Sequence, residues 1–316
     1  MNDQNNIKVS FIIPALNEER HLPRLLHSIY EYVYSVEYEI IVVDNGSADA
    51  TATIAQNAGA RVLQNYSLTI GGLRNLGAYR AQGEVLVFLD ADMCITRSWA
   101  EAIKAALERL RKNKYMITGS RAGISEEGNW IEKHWFLPMT EDKFPNYINS
   151  GHLIIRKDMF TEIGGFDENL RTGEDWDLCI RAKKMGVEIS ANPALHVIHN
   201  GYPRSLKDFV LREKWHGIQD LSSISAFRAS LPAQVAILFW SAGLIGVVLS
   251  LYSGNVAYVL VAIAFDSMLC MMSTLTKRKR ISINILYYFI LFHAYYFARG
   301  LSLKDKIFSK YSHLHR

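Results

Sequence analysis

Cysteine is scarce in this sequence. Cys94, Cys179 and Cys270 are the only three in 316 residues, widely separated and without the spacing of a metal or redox motif. They suit ordinary buried thiols in a reducing compartment. Charge of one sign is scarce too, with 35 Lys and Arg against 31 Asp and Glu and a net of +4. The basic residues form no stripe, which argues against nucleic acid as the main partner. The opening MNDQNNIK lacks the apolar core of a signal peptide, so the first domain is expected to stay in the cytoplasm. The first βα turn, PALNEER, lacks GxGxxG, and no GxxxxGK[ST] occurs. A dinucleotide-binding Rossmann site and a P-loop NTPase are therefore both disfavoured.

Long charge-free runs are missing until Pro232, and then they come together. Pro232–Tyr252 is 21 residues without a charge, and Val256–Leu275 carries only Asp266. Each is long enough to cross a bilayer as a helix. KRKR (Lys277–Arg280) and a third apolar stretch, Ile281–Phe297, follow. A cytoplasmic N-terminal domain sends the first helix out and the second back, leaving KRKR inside. A third crossing would put the basic tail outside, so a re-entrant or interfacial third segment is preferred. Expected is a domain over 1–230 and a membrane region over 231–316 with two or three hydrophobic helices. Near residues 205–221, Leu206, Phe209, Val210, Ile218 and Leu221 alternate with Arg204, Lys207, Arg212 and Lys214. That pattern suits a juxtamembrane amphipathic helix on a lipid surface, or packing on the first domain.

Before residue 121, strands and helices alternate. KVSFIIPA, YEIIVVD, RVLQN, EVLVFLD and YMITGS have strand composition. Helices are expected at Glu19–Tyr34, Ala50–Ala58, Gly71–Gln82 and Ser98–Asn113. The fold class is α/β, with a mostly parallel, Rossmann-like sheet covered on both faces. From Arg121 to Asn149 the chain turns irregular and aromatic, and substrate specificity is expected there. Ligands of such sheets bind beyond the carboxyl ends of the strands. Pro14, Ala15, Asp44, Asp90 and Asp92 all fall at such ends.

The stretch VLVFLDADMCI (Val85–Ile95) ends a buried strand with two carboxylates one residue apart. Close acids repel unless something positive sits with them. In extended chain, positions i and i+2 face the same way, so Asp90 and Asp92 are expected to share one crevice. Oxygen ligands suit Mg²⁺ or Mn²⁺. A solvated turn, or Asp90 capping the helix from Ser98, would explain the pair as well.

Further motifs accompany this pair: FIIPALNEER, VVDNGSADAT, GGLRNLGAYRAQGEVLVFLDAD, NSGHLIIRKDMFTEIGGFDENL and GEDWDLCIRAKKMG. In content and order they resemble the inverting, GT-A fold glycosyltransferases of family 2. The resemblance covers about the first 220 residues, and Asn45 departs from it, standing where the family has a second acid. It implies that Pro14, Ala15, Glu18, Asp44, Arg74, Asp90 and Ala91 bind the donor, with Asp44 on the base. It implies Asp92 and Asp90 as metal ligands. It makes Asp175 the general base, beside Glu174. Residue by residue, plainer readings stand beside these. Asp44 can make an Asx turn, Glu18 can favour a helix start, Arg74 can be a solvated surface arginine, and GEDWD can complement a helix dipole. His199, in ALHVIHNGYPRS with His196, is a further metal-ligand candidate. Asn149, Ser150 and Gly151 open the acceptor-side strand, and Trp176 is a candidate sugar platform.

The expected protein is a multi-pass inner-membrane enzyme with a cytoplasmic catalytic domain. It would use a nucleotide-sugar, a UDP-sugar first, with Mg²⁺ or Mn²⁺. The acceptor is expected to be a hydroxyl of a lipid or lipid-linked glycan. Transfer to a polyprenyl phosphate is an alternative that needs no base, and a non-catalytic nucleotide-binding scaffold is another.

Overall fold

The computed structural model describes residues 8–137, 147–221, 223–277 and 284–312. The chain divides into two compact units, Met1–Glu126 with Met139–Tyr202, and Glu127–Pro138 with Pro203–Arg316.

The first unit holds a seven-stranded sheet. Its strands are β1 (Val9–Ala15), β2 (Tyr38–Asp44), β3 (Arg61–Gln64), β4 (Val85–Leu89), β6 (Met116–Gly119), β7 (His152–Arg156) and β8 (Glu188–Ala191), in the order β3-β2-β1-β4-β7-β6-β8. Only β7 runs against the others. A separate ribbon pairs β5 (Met93–Ile95) with β9 (Val197–His199). All five strands expected from the sequence are present.

Helices cover both faces because the strands are apolar on both. Along β1, Phe11 and Ile13 enter one core with Leu22, Leu25 and Ile29 of α1 (Leu22–Tyr32) and Trp99 and Ile103 of α4 (Arg97–Lys112). Ile12, pointing the other way, enters a second core with Leu73 of α3 (Ile70–Arg80), Met159 and Phe160 of α5 (Lys157–Ile163) and Leu178 of α6 (Glu174–Lys184). A short α2 (Thr51–Asn57) follows β2. α1 starts at Leu22 rather than Glu19. Asn17 adopts φ +57°, and the Glu18 carbonyl accepts from the His21 and Leu22 N–H groups, so residues 16–21 form a turn beyond β1.

The second unit is helical. It contains a π-helical turn at Glu132–Phe136, α7 (Leu206–Asp220), α8 (Ile224–Ala229), α9 (Leu231–Ser253), α10 (Ala257–Lys277) and α11 (Ile285–Ser312). Two helices are long and apolar enough to cross a membrane, Leu231–Ser253 with mean hydropathy 2.1 and Ala257–Thr276 with 1.8. Their apolar windows are only 11% and 17% buried, so they are not core helices. Ser230 caps α9 by accepting from Ala233 N–H, and Pro232 sits in its first turn, where no N–H partner is needed.

From Ile285 onward the third apolar stretch lies in α11, which packs along α7. Arg299 pairs with Glu213 and Asp220, and Ser302 Oγ donates to the Lys214 carbonyl at 2.7 Å. Arg299, counted by sequence in the basic tail, is a half-buried ion-pair partner instead. Residues 278–280 of the KRKR run and the side chains beyond Ser302 lie outside the described residues, as do residues 138–146 of the expected specificity region.

Candidate active site

The carboxyl ends of β1, β2 and β4 meet the starts of β7 and α6, and the buried charged side chains of the first unit, Asp44, Arg74, Glu174 and Asp175, gather there. Ala15 stands level with Asp44 in the β1–β2 register, with Pro14 and Ala15 buried. The loops after β1 and β2 are laced together. Asn17 N–H donates to Ser47 Oγ at 2.9 Å, Ala48 N–H to Asn17 Oδ1 at 2.8 Å and Glu18 N–H to Thr51 Oγ1 at 2.7 Å. Asp44 is buried, and both its carboxylate oxygens accept from Ser47 N–H, at 3.3 and 3.2 Å. An Asx-type turn is therefore present, closed on Ser47. Asn45 Oδ1 is buried there with no hydrogen-bond partner.

Asp90 and Asp92 do not lie along extended chain as expected. Met93 N–H donates to the Asp90 carbonyl at 3.0 Å, closing a tight turn after β4 with Ala91 buried inside it. The two side chains take different partners. Asp90 pairs with Arg74 Nη2 and packs on Gly151, where an added Cβ would come within 2.6 Å of Asp90 Oδ2. Asp92 turns toward His199 and Gly201. Its Oδ2 is 3.4 Å from His199 Nε2, and a Cβ on Gly201 would fall 1.9 Å from that oxygen. Nor does Asp90 cap the following helix; β5 intervenes and Thr96 takes the N-cap position.

The acids near this turn raise one another's pKa. Burial raises the Asp92 pKa against the pull of His199, and the charge of Asp90 adds to the rise. Burial likewise raises Glu18, with Asp92 and Asp90 contributing repulsion, although His21 Nδ1 bonds its carboxylate at 2.9 Å. The charges of these acids thus act on one another. Asp92 Oδ1 is buried without any hydrogen-bond partner. An orphaned buried carboxylate oxygen among acids fits a hard divalent ion that takes few protein ligands. Among the described residues, no group of three or more His, Cys, Asp or Glu side chains is placed to hold a metal ion. His199 suits the role of ligand less well than that of partner to Asp92. Gly201 N–H donates to its Nδ1 at 3.1 Å, which places the proton of the neutral ring on Nε2, facing Asp92. Its ring stacks on Tyr202, with centroids 4.1 Å apart. His196 lies apart from this cluster, its ring against Gly123.

The ED pair opens α6. Glu174 and Asp175 are both buried, at 6% and 7% exposure, while Trp176 is 55% exposed. Asp175 Oδ2 accepts from Ser150 N–H at 3.3 Å and Oδ1 from Trp176 N–H at 2.7 Å. Burial, with repulsion from Glu174, pushes its pKa up to about 6. Glu174 Oε1 accepts from Ser150 Oγ at 3.0 Å and from Arg74 Nη1 at 2.8 Å. Arg74 is not a surface arginine: it is 2% exposed and spans Asp90 and Glu174. Asn149 Oδ1 accepts from Gly151 N–H at 2.7 Å, shaping the turn into β7.

Residues 10–164 match the family described as Glycosyl transferase family 2. The chain carries a family 2 glycosyltransferase domain. Among curated relatives it is 26% identical over 227 residues to the pre-mycofactocin glycosyltransferase of Mycobacterium tuberculosis, covering 66% of this chain and 46% of that protein. It is 28% identical over 199 residues to the amylovoran biosynthesis glycosyltransferase AmsB of Erwinia amylovora, covering 57% and 65%. The chain thus spans about half to two thirds of the length of these relatives. The mannosyltransferase PcManGT of Pyrobaculum calidifontis, solved in complex with GDP-Man and Mn²⁺, shares the fold with a TM-score of 0.60 at 16% identity, over 96% of this chain and 89% of that one.

Most of the residues expected from the glycosyltransferase resemblance lie in this one region. The sequence reading missed His21, Ser47 and Gly201. Each acts through a backbone turn or a close approach, and the β5–β9 pairing that sets His199 beside Asp92 spans 106 residues.

Proposed function

We propose that this family 2 domain transfers a sugar from a nucleotide-sugar, a UDP-sugar, to a hydroxyl of a lipid or lipid-linked glycan, inverting the anomeric centre. The observation that carries this reading is Asp175, a buried carboxylate with its pKa pushed up to about 6, held beside the Asp90 turn. A base poised near the working pH accepts a proton well, and a hydroxyl must lose one to attack. The acceptor oxygen bonds to the anomeric carbon as the bond to the diphosphate breaks, and the acceptor's proton passes to Asp175 Oδ.

Pro14, Ala15, Glu18, Asp44 and Ala91 line the donor side, with Asp44 held by Ser47 to face the base. Asn149, Ser150, Gly151 and the exposed face of Trp176 form the acceptor side. Asp92, with Asp90, would hold Mg²⁺ or Mn²⁺, whose charge offsets that of the departing diphosphate. His199 orients the Asp92 carboxylate. The two exposed apolar helices support a membrane anchor, with the catalytic unit extending to about residue 230 on the cytoplasmic face and the acceptor presented by the inner membrane.

The test is release of nucleoside diphosphate by the detergent-purified chain across UDP-, GDP- and dTDP-sugars, with Mn²⁺ and with chelator. Metal-dependent turnover of one donor, lost in Asp92→Ala and Asp175→Asn, is expected. If Asp175→Asn kept full activity on a polyprenyl phosphate acceptor, the hydroxyl reading would give way to phosphate transfer. Binding of none of these donors would overturn the glycosyltransferase reading for the chain.

A further inference from the structure

Arg74 occupies an unusual place. It is 2% exposed, on a helix whose neighbouring positions are Gly71, Gly72, Gly77 and Ala78, small enough to bring α3 close to its surroundings. A Cβ on Gly71 would already stand 3.6 Å from Glu174 Cβ. Both terminal nitrogens of Arg74 are committed to carboxylates, Nη1 to Glu174 Oε1 at 2.8 Å and Nη2 to Asp90 Oδ1 at 2.5 Å. Those acids come from opposite sides of the site, one at the end of β4 and one at the start of α6.

The contacts close a ring. From Arg74 it runs to Asp90, whose N–H donates to the Gly151 carbonyl at 3.2 Å. Ser150, next in the chain, gives its N–H to Asp175 at 3.3 Å and its Oγ–H to Glu174 at 3.0 Å, and Glu174 returns to Arg74. A single planar guanidinium thus ties the metal-strand turn to the helix that carries the base. Arg74 is 2% exposed, so a donor phosphate could not reach its terminal nitrogens without the surrounding side chains giving way.

We propose that Arg74 is a positioning residue rather than a donor contact, its two-pronged guanidinium fixing the separation between the Asp90 turn and the first turn of α6, with Glu174 as the strut that receives it. The inference rests on the glycosyltransferase reading. It explains why an arginine is needed. A lysine ammonium carries the charge but cannot span two carboxylates on rigid, divergent prongs. It also gives Glu174 a role distinct from that of its neighbour: Asp175 takes the proton, and Glu174 holds the helix end that presents it.

The experiment compares Arg74→Lys and Glu174→Gln with the wild-type chain by hydrogen–deuterium exchange, calorimetric titration of UDP with Mn²⁺, and turnover against pH. Arg74→Lys is expected to speed exchange in peptides covering both 148–152 and 173–178 and to lower kcat by about a hundredfold, the scale of a misplaced reacting group. Its UDP affinity should stay within about threefold, as befits a residue that does not touch the donor. Glu174→Gln removes the charge that helps raise Asp175, so the acid limb of its pH profile should move to lower pH; a purely structural strut would not move it. Unchanged exchange in both peptides, an unchanged kcat, or a loss confined to UDP affinity would overturn the proposal while leaving the wild-type enzyme active. Faster exchange in a wild-type chain background that turns over no donor would instead sink the glycosyltransferase reading, and this positioning role with it.

Discussion

Arg74 and Arg299 each stand between two carboxylates, one in the sheet-bearing unit and one in the helical unit. Each also has a buried Nε without a hydrogen-bond partner. The difference lies in where the acids come from. Both partners of Arg299, Glu213 and Asp220, sit on α7 two turns apart, so the contact rivets one helix to another. The partners of Arg74 lie 16 and 100 residues away, on a strand end and a helix start, and one of them adjoins the carboxylate with the raised pKa. The same electrostatic arrangement therefore serves adhesion in one unit and alignment in the other. Burial of an arginine by itself does not distinguish them; the destinations of its two prongs do.

The sharpest way to break this comparison is to remove the proposed base that only one of the two sites has. Asp175→Asn should lower kcat by about 10²- to 10⁴-fold, the usual contribution of a general base. In the wild type, turnover should fall as pH drops below about 6, because the base works only when deprotonated. Stability should move the opposite way. The folded pKa of about 6 lies above the ordinary 3.8, so this group favours the fold at low pH and loses that contribution as pH rises through about 6. Asp175→Asn should therefore be the more stable protein at pH 8, by at most ~3 kcal/mol from that gap. Thermal melts at pH 5 and pH 8 measure it; an equal difference at both would contradict the assigned environment.

Next in size is Arg299→Met. It leaves Glu213 with Arg212 alone and Asp220 without its arginine, and should cost ~3 kcal/mol in the helical unit, the low end for a broken buried pair because Asp220 is partly exposed. Turnover per folded molecule should not change, whereas Arg74→Lys should show the reverse pattern. Gly151→Ala is smaller. Its methyl would meet Asp90 Oδ2 at 2.6 Å and Asn149 Oδ1 at 2.9 Å, so a cost of ~1–3 kcal/mol and reduced turnover are expected. Trp176→Ala should be smallest in stability, within about 0.5 kcal/mol, because the side chain is exposed. Its effect should appear in the acceptor KM, measured by initial rates at fixed donor.

The strands, most of the helices and the region where the acids gather were legible because apolar periodicity and strand-end chemistry are local properties. β1, β2, β3, β4 and β6 fall where composition puts them. The roles within the site were less legible. Asp90 and Asp92 were expected side by side on extended chain, yet one bond from Met93 N–H to the Asp90 carbonyl folds the segment into a turn, and the two take different partners. Arg74 gave no sign in sequence of being buried, since its own helix is built of small residues with almost no polar–apolar contrast.

By itself, the sequence determined an α/β sheet with acids at the carboxyl ends of its strands, a family 2 domain, and two apolar helices long enough for a bilayer. Those features depend on residue type and short spacing. Tertiary structure alone decided which acid meets which cation. It seated Arg74 between Asp90 and Glu174, brought His199 across 107 residues to Asp92 through the β5–β9 ribbon, and set Arg299 against α7. Charge pairing in a folded chain is fixed by distances of a few ångströms between segments remote in sequence, and no local pattern encodes those distances.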